Sequence, residues 1–207
     1  MVDTELHVFE WPTCSAATPS SLAIDDVPLV FDLDGTLIQE DSASMLWGAA
    51  IGHSWKMLQD PPRFAGLGRH ELAVAIKDWV VRVLPNVADV LDRAVINPNV
   101  VSFAKAAQDQ GRPIWLVSGT MQPVADYFAL RLAQHWDLSF AVVRGSQWPV
   151  NLISKHKASW LCEAAPNGFD YVGDHLRHDR PIWAKARAGF WVATKGATSA
   201  IALQERR

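Results

Sequence analysis

Apolar residues gather along the chain in short runs that end in polar loops. Leu29-Val30-Phe31 runs into Asp32-Leu33-Asp34-Gly35-Thr36, Pro113-Ile114-Trp115-Leu116-Val117 into Ser118-Gly119-Thr120, and Phe169-Asp170-Tyr171-Val172 into Gly173-Asp174. Each run predicts a buried strand that opens into a loop. Phe140 to Val143 is a weaker strand, and Phe190 to Ala193 a last one. Between them the period lengthens. Val100 to Gln110 forms a helix ended by Gly111, Val124, Phe128 and Leu132 recur every four residues, and shorter helices cover Ala158 to Ala165 and Ile182 to Ala188. Gly after the last periodic residue is a common helix stop. Strands alternating with helices predict an α/β fold with three layers, a Rossmann-like parallel sheet covered on both faces, whose ligands bind at the carboxyl ends of the strands.

Two stretches depart from the alternation. From Asp41 to about Asn97 no strand is evident, while Leu72, Ile76, Trp79, Val80 and Val83 share one helical face. Residues 41–97 therefore form an inserted, all-helical cap, and residues 28–40 with 98–207 form the core domain. Residues 1–27 carry Pro12, Pro19 and a Ser/Thr/Ala run from Thr13 to Leu22, the signature of a tail or linker with at most a short strand at Leu6 to Phe9.

Composition narrows the class. The chain has 207 residues, 49% hydrophobic and 20% charged, enough for a packed core. A net charge of −3 provides no basic field for nucleic acid, so no such partner is expected. Cys14 and Cys162, the 2 cysteines, form no CxxC pair and fit a reducing compartment. No basic start with a long apolar segment opens the chain, and no run nears the ~18 apolar residues of a membrane span. The expectation is a cytoplasmic protein that is not integral to a membrane. The 10 tryptophans suit core and cap-surface packing and carry no functional reading of their own.

Chemistry concentrates at the predicted strand ends. Asp32 and Asp34 follow the first strand, Ser118 and Gly119 the second, Lys155 and Lys157 precede a helix, and Asp174 and Asp179 follow the strand at Phe169. Transfer of a phosphoryl group through an aspartyl-phosphate requires such a set: a carboxylate nucleophile, a second carboxylate, a hydroxyl, a lysine and a further acidic pair. A phosphate monoester brings about two negative charges to carboxylates, so a Mg²⁺ ion and a lysine must supply countercharge. Ser118 and the Gly119 N–H would donate to phosphoryl oxygens. Asp34 would protonate the leaving alcohol and then accept a proton from water.

The set DLDGT at 32–36, the hydrophobic-Ser-Gly at 116–119, the lysine before a helix and YVGDHLRHD at 171–179 resembles the four motifs of the haloacid dehalogenase superfamily, over residues 28–195. The resemblance implies that Asp32 is nucleophile and metal ligand, and that Asp34 is the acid/base whose backbone carbonyl also ligates Mg²⁺. Ser118 and Gly119 would bind phosphate, Asp174 would ligate the metal, and Asp179 would support the metal shell. Lys157, followed by Ala158-Ser159-Trp160-Leu161, resembles the family's Lys-x-x-x-Leu and is preferred over Lys155 as the phosphate-neutralising lysine. The superfamily's dehalogenases lack a second aspartate, so Asp34 favours a phosphatase acting on a small phosphate monoester, with a phosphomutase as the rival. The helical insert resembles the cap of the phosphoserine-phosphatase-like branch, in which Asp41 occupies the position that helps read the substrate; no cap arginine matches a serine carboxylate. DLDGTLIQED, Leu84-Pro85 and FDYVGDHLRHDRPIWAKA also resemble the phosphatase-like domain fused to UbiA-type prenyltransferases, which admits a non-catalytic role as partner of a membrane prenyltransferase.

Duller alternatives exist for each residue. Asp32, Asp34 and Ser118-Gly119 could be turn formers, Asp174 a helix cap, and Asp179 and the lysines solvated. His175 and His178 hint at zinc but lack a neighbouring third ligand. Gly66-Leu67-Gly68 follows no strand, and no G-x-S-x-G surrounds Ser118, so neither a dinucleotide site nor a serine hydrolase is supported.

Overall fold

The computed structural model describes residues 14–16, 27–52, 64–195 and 198–204. Strands β1 (Cys14–Ala16), β2 (Leu29–Phe31), β3 (Ile114–Met121), β4 (Val142–Ser146), β5 (Asp170–Gly173), β6 (Gly189–Lys195) and β7 (Thr198–Gln204) make one sheet in the order β1-β7-β6-β5-β2-β3-β4. The inner run from β6 to β4 is parallel throughout. β7 and β1 extend one edge antiparallel. The helices are α1 (Ser42–Ala50), α2 (Arg69–Val83), α3 (Val87–Leu91), α4 (Pro98–Asp109), α5 (Gln122–Trp136), α6 (Ser154–Ala164) and α7 (Leu176–Trp183).

Period-two alternation in the strands makes the three layers. On β2, Leu29 and Phe31 enter one apolar cluster, together with Ile114 and Leu116 of β3, Val172 of β5, and the faces of α4 and α5. Val30, Val117 and Tyr171 point the other way, into a second cluster built on α6 and α7. Successive side chains of a strand leave on opposite faces, so both faces must be covered, and β2 is apolar throughout. Phe103 of α4 seals the first face, its ring 6.5 Å from Phe31 and 5.3 Å from Phe190.

Most sequence expectations land within a few residues, and the differences have local causes. The strand expected at Phe140 to Val143 lies at Val142–Ser146, because Ala141 N–H donates to Ile114 O at the strand's entrance and the pairing follows β3 onward. The helix expected over Ile182 to Ala188 is instead Leu176–Trp183. His175 caps it by accepting from His178 N–H, and after Trp183 the Ala184, Lys185 and Ala186 N–H groups close a terminal turn on Arg180 and Ile182. Pro181 sits inside this helix. The tail assigned to 1–27 contains β1, paired Cys14 to Gln204, so residues 14–16 join the sheet edge through a contact nearly the whole chain away. The possible strand at Leu6 to Phe9 lies outside the described residues.

The described part of 41–97 holds α1, α2 and α3 and no strand. Its residues Leu46, Val74, Trp79, Val80 and Leu91 belong to the same apolar cluster as Phe31 and Leu116, so this helical insert packs continuously onto the sheet's first face. Among the described residues no helix is long and apolar enough to cross a membrane.

Candidate active site

β2, β3 and β5 are adjacent and parallel, so the loops after β2 and β5 meet the last residues of β3 at one edge. β2 lies between a neighbour reached by one crossover and a neighbour reached by another, the point at which open α/β sheets leave a crevice. There a polar cavity of about 370 Å³ is lined by Asp32, Asp34, Asp41, Ser118, Gly119, Lys157, Asp174 and Asp179, together with Lys77, His175 and His178. Every residue singled out from the sequence lines this one cavity except Lys155, which is exposed.

Asp32 is held from three directions. Its Oδ1 accepts from Leu33 N–H at 2.8 Å, and its Oδ2 accepts from Lys157 Nζ at 2.7 Å. The Tyr171 hydroxyl lies 3.1 Å from the same Oδ2. Lys157 is buried on the first turn of α6, where Leu161 one turn on anchors the helix in the second cluster. This geometry selects Lys157 over Lys155 as the lysine facing Asp32.

The loop after Asp32 turns sharply. Gly35 takes φ of +68°, a conformation that favours glycine, and Ile38 N–H closes the turn on Leu33 O at 3.1 Å. A Cβ on Gly35 would collide with the Asp174 carboxylate, so the absent side chain is what lets the acidic end of β5 approach this loop. Asp34 Oδ1 accepts from Ser42 N–H at 2.8 Å, at the start of α1. Burial, followed by the charges of Asp32 and Asp41, pushes Asp34 up to about 6. Asp41 caps α1 through Ser44 N–H at 2.6 Å, combining the ordinary cap role with a place on the cavity wall.

Ser118 and Gly119 lie within β3, since that strand continues to Met121 rather than stopping at Val117. Thr120 N–H donates to Ser118 Oγ at 3.2 Å, while Gly119 O accepts from Ser146 Oγ and Lys77 Nζ, each at 2.8 Å. A Cβ on Gly119 would sit 2.5 Å from Ile153 Cγ2.

Asp174 is pushed up to about 7, first by burial and then by Asp32 and Asp179. Asp179, itself raised to about 6 mainly by burial, accepts from His175 N–H at 2.9 Å and lies 3.0 Å from the Tyr171 hydroxyl. Three acidic groups raised by burial and mutual repulsion, against two lysines, describe a site short of positive charge.

Magnesium suits that shortage. It takes hard oxygen donors and retains water, so two carboxylates and a carbonyl suffice. Among the described residues no group of three or more His, Cys, Asp or Glu side chains is placed to hold a metal. The set of Asp32 and Asp174 carboxylates with the Asp34 carbonyl, implied by the sequence resemblance, needs only two side chains. His175 Nδ1 accepts from His178 N–H, so one of the histidine nitrogens is spent on capping α7.

Two residues of this site escaped the sequence reading. Tyr171 is fully buried, and its single hydroxyl proton lies between the carboxylates of Asp32 and Asp179 while its oxygen faces Lys157 Nζ at 3.1 Å. Burial first, then both carboxylates, raises its pKa well above the ordinary tyrosine value. Its position three residues before Asp174 was the available signal, hidden because it looks like one more buried strand residue. Lys77 of α2 reaches from the helical insert to Gly119 O and, at 3.3 Å, to Asn151 Oδ1. Burial lowers its pKa. Nothing in its helical neighbourhood distinguishes it from a solvated lysine.

The fold and this edge together define an α/β protein with an acidic, lysine-countered centre beneath a helical insert. The haloacid dehalogenase-like hydrolase family matches residues 29–183, and the chain belongs to that family. The uncharacterized protein y4nM of Sinorhizobium fredii is 33% identical over 163 residues, which are 77% of this chain. The chain spans only 28% of that relative's length. A substrate-bound phosphoserine phosphatase shares the fold with a TM-score of 0.54 at 15% identity, covering 80% of this chain and 85% of that one. A hydrolase of the same family from Salmonella enterica has a TM-score of 0.51 at 16% identity, covering 78% and 60%.

Proposed function

We propose that the protein hydrolyses a small phosphate monoester, with Mg²⁺ bound, through a phosphoryl group carried on Asp32. The observation that carries this reading is the Asp32 carboxylate, fixed by Leu33 N–H, Lys157 and Tyr171 and facing a cavity also lined by Asp34, Ser118, Gly119 and Asp174. The family membership supports the reaction class, and the phosphoserine phosphatase fold supports the phosphatase branch.

The chain's own groups supply most of the steps. An Asp32 oxygen forms the new bond to phosphorus as the ester oxygen leaves. Asp34, raised to about 6, holds a proton near neutrality for a useful fraction of the time and gives it to that departing oxygen. Water then attacks phosphorus as Asp34 takes its proton, the bond between phosphorus and the Asp32 oxygen breaks, inorganic phosphate is released and the Asp32 carboxylate is regenerated. Ser118 and Gly119 line the same cavity as Asp32, and the Ser118 hydroxyl and Gly119 N–H would donate to phosphoryl oxygens. Lys157 already pairs with Asp32 at 2.7 Å, and its charge would offset that of a phosphoryl group carried there. The metal, when bound, offsets the remaining negative charge and polarises the phosphoryl group. The residues suited to hold it are Asp32, Asp174 and the carbonyl of Asp34.

Phosphate release from a mixed set of monoesters, with Mg²⁺ and again with EDTA, tests the reaction. Turnover abolished by EDTA and restored by Mg²⁺ is the expected result. Turnover indifferent to chelation contradicts it. Isomerised product without released phosphate would instead identify a mutase.

A further inference from the structure

Beside the acidic site lies a second cavity, of about 380 Å³, between α1, α2 and the end of β3. Leu46 and Trp47 of α1, Ile76, Val80 and Val81 of α2, and Met121 form its walls. Among the described residues Lys77 is its only charged lining residue, and that ammonium already donates to Gly119 O and Asn151 Oδ1. The two cavities are neighbours rather than separate features: Ala43, Lys77 and Thr120 line both. Its volume falls within the ~300–1,000 Å³ of ordinary small-molecule sites.

The two walls differ in what they accept. The acidic cavity offers a phosphate its lysine and its hydrogen-bond donors. Among the described residues the adjoining cavity offers, besides Lys77 and the Trp47 indole, only the Ser44 hydroxyl and that of Thr120, which already pairs with Ser42, so most of an ammonium, carboxylate or chain of hydroxyls placed there would be desolvated without hydrogen bonds. Among the described residues no arginine lines either cavity. We infer that the leaving group of the substrate is an apolar alcohol, whose hydrocarbon portion occupies the cavity between α1 and α2 while its phosphate faces Asp32. This deepens the phosphatase reading and rests on it for the identity of the anionic headgroup. Trp47, 44% exposed, stands on the wall of that cavity as an apolar surface that such an occupant would cover.

Two measurements separate the inference from the reading beneath it. The first is kcat/KM for ethyl, butyl, hexyl and octyl phosphate beside glycerol phosphate and O-phosphoserine, with Mg²⁺. The second is calorimetric binding of ethyl, butyl, hexyl and octyl phosphonate, which cannot be hydrolysed, in the same buffer. Both are expected to strengthen with chain length, with a ceiling of about fourfold per methylene set by ~0.8 kcal/mol for each one buried. Glycerol phosphate and phosphoserine are expected to fall below butyl phosphate. Ala73→Phe, which adds a ring to the cavity wall, and Val81→Thr, which replaces a methyl by a hydroxyl at nearly constant shape, should each lower the octyl-to-ethyl ratio. Val81 is only half-buried, so the second variant tests the idea even where the first fails to fold.

Hydrolysis without dependence on chain length, or preference for phosphoserine, would overturn the apolar assignment and leave the phosphatase standing. Phosphonate affinity rising with chain length in a protein that cleaves no ester would keep the apolar site and remove the phosphatase. Phosphonates that bind equally whatever their length overturn the inference in either case.

Discussion

Tyr171 shows how one side chain can couple two parts of a site. Its hydroxyl sits between Asp32 and Asp179, with Lys157 on the other side of the oxygen. Tyr171→Phe removes that hydroxyl without changing the ring that packs at 6.4 Å on Trp183. Two carboxylates lose a buried partner, a loss on the order of 1–3 kcal/mol. The expected result is a fall in kcat of roughly tenfold to a hundredfold at little-changed KM, since ~1.4 kcal/mol is tenfold in rate. Steady-state kinetics of the variant across pH, with an unfolding curve as control, would check this. A rise in KM alone would show that the hydroxyl serves substrate binding instead. The same scale shows what a sequence conveys. Asp32, Asp34, Asp174 and Asp179 were legible because motif spacing places each after a strand, and Ser118 because it follows an apolar run that turned out to be the first half of β3. Tyr171 and Lys77 were not, because an alternating strand and an amphipathic helix give them ordinary structural reasons to be present.

At the scale of elements, the ends of the strands opposite the site are tied by ions rather than by packing. Arg112, just before β3, donates to Val27 O at 2.9 Å and pairs with Asp170 at 2.5 Å, both groups being buried. Asp170 also accepts from Ala188 N–H at 3.0 Å and meets Arg187 at 3.4 Å. This knot joins the entrances of β2, β3, β5 and β6. Asp170→Ala leaves Arg112 buried without its countercharge and is expected to cost about 3–5 kcal/mol. Urea unfolding would measure it, and a loss below 1 kcal/mol would show that the guanidinium finds water. The elements themselves were largely readable, because parallel strands buried on both faces appear as continuous apolar runs. The pairing of β1 with β7 was not. β1 is the edge strand and meets β7 from nearly the whole chain away, and no local pattern encodes such a pairing.

For the molecule as a whole, crowding acids at one edge has a cost in stability. Asp34 at about 6, Asp174 at about 7 and Asp179 at about 6 all lie above the unfolded value of 3.8. Between those values the folded protein binds more protons than the unfolded chain, so these groups make stability fall as pH rises from about 4 to 7. Metal-free protein is therefore expected to melt at a higher temperature at pH 5 than at pH 8. Saturating Mg²⁺ should flatten that dependence, because a divalent charge replaces the protons. Thermal unfolding in EDTA and in Mg²⁺ at both pH values reads this directly; a metal-free midpoint that rises with pH contradicts it.

The architecture also explains why the insert was legible as helical but not in its chemistry. Periodicity located the apolar face of α2, of which Trp79 and Val80 are buried in the cluster shared with the sheet. It could not show that Ile76 and Val80 line a cavity, because a wall and a packed interface have the same spacing. Substrate reading belongs to that three-dimensional arrangement, whereas the reaction belongs to the motifs. Asp32→Asn tests the reaction most directly. Lys157 and Tyr171 can still bond the amide, so the fold should survive while the nucleophile is lost. Phosphate release is predicted to fall by at least a thousandfold on whichever monoester the wild-type protein cleaves best, at an unchanged melting temperature. Release at the wild-type rate would contradict a phosphoryl group carried on Asp32.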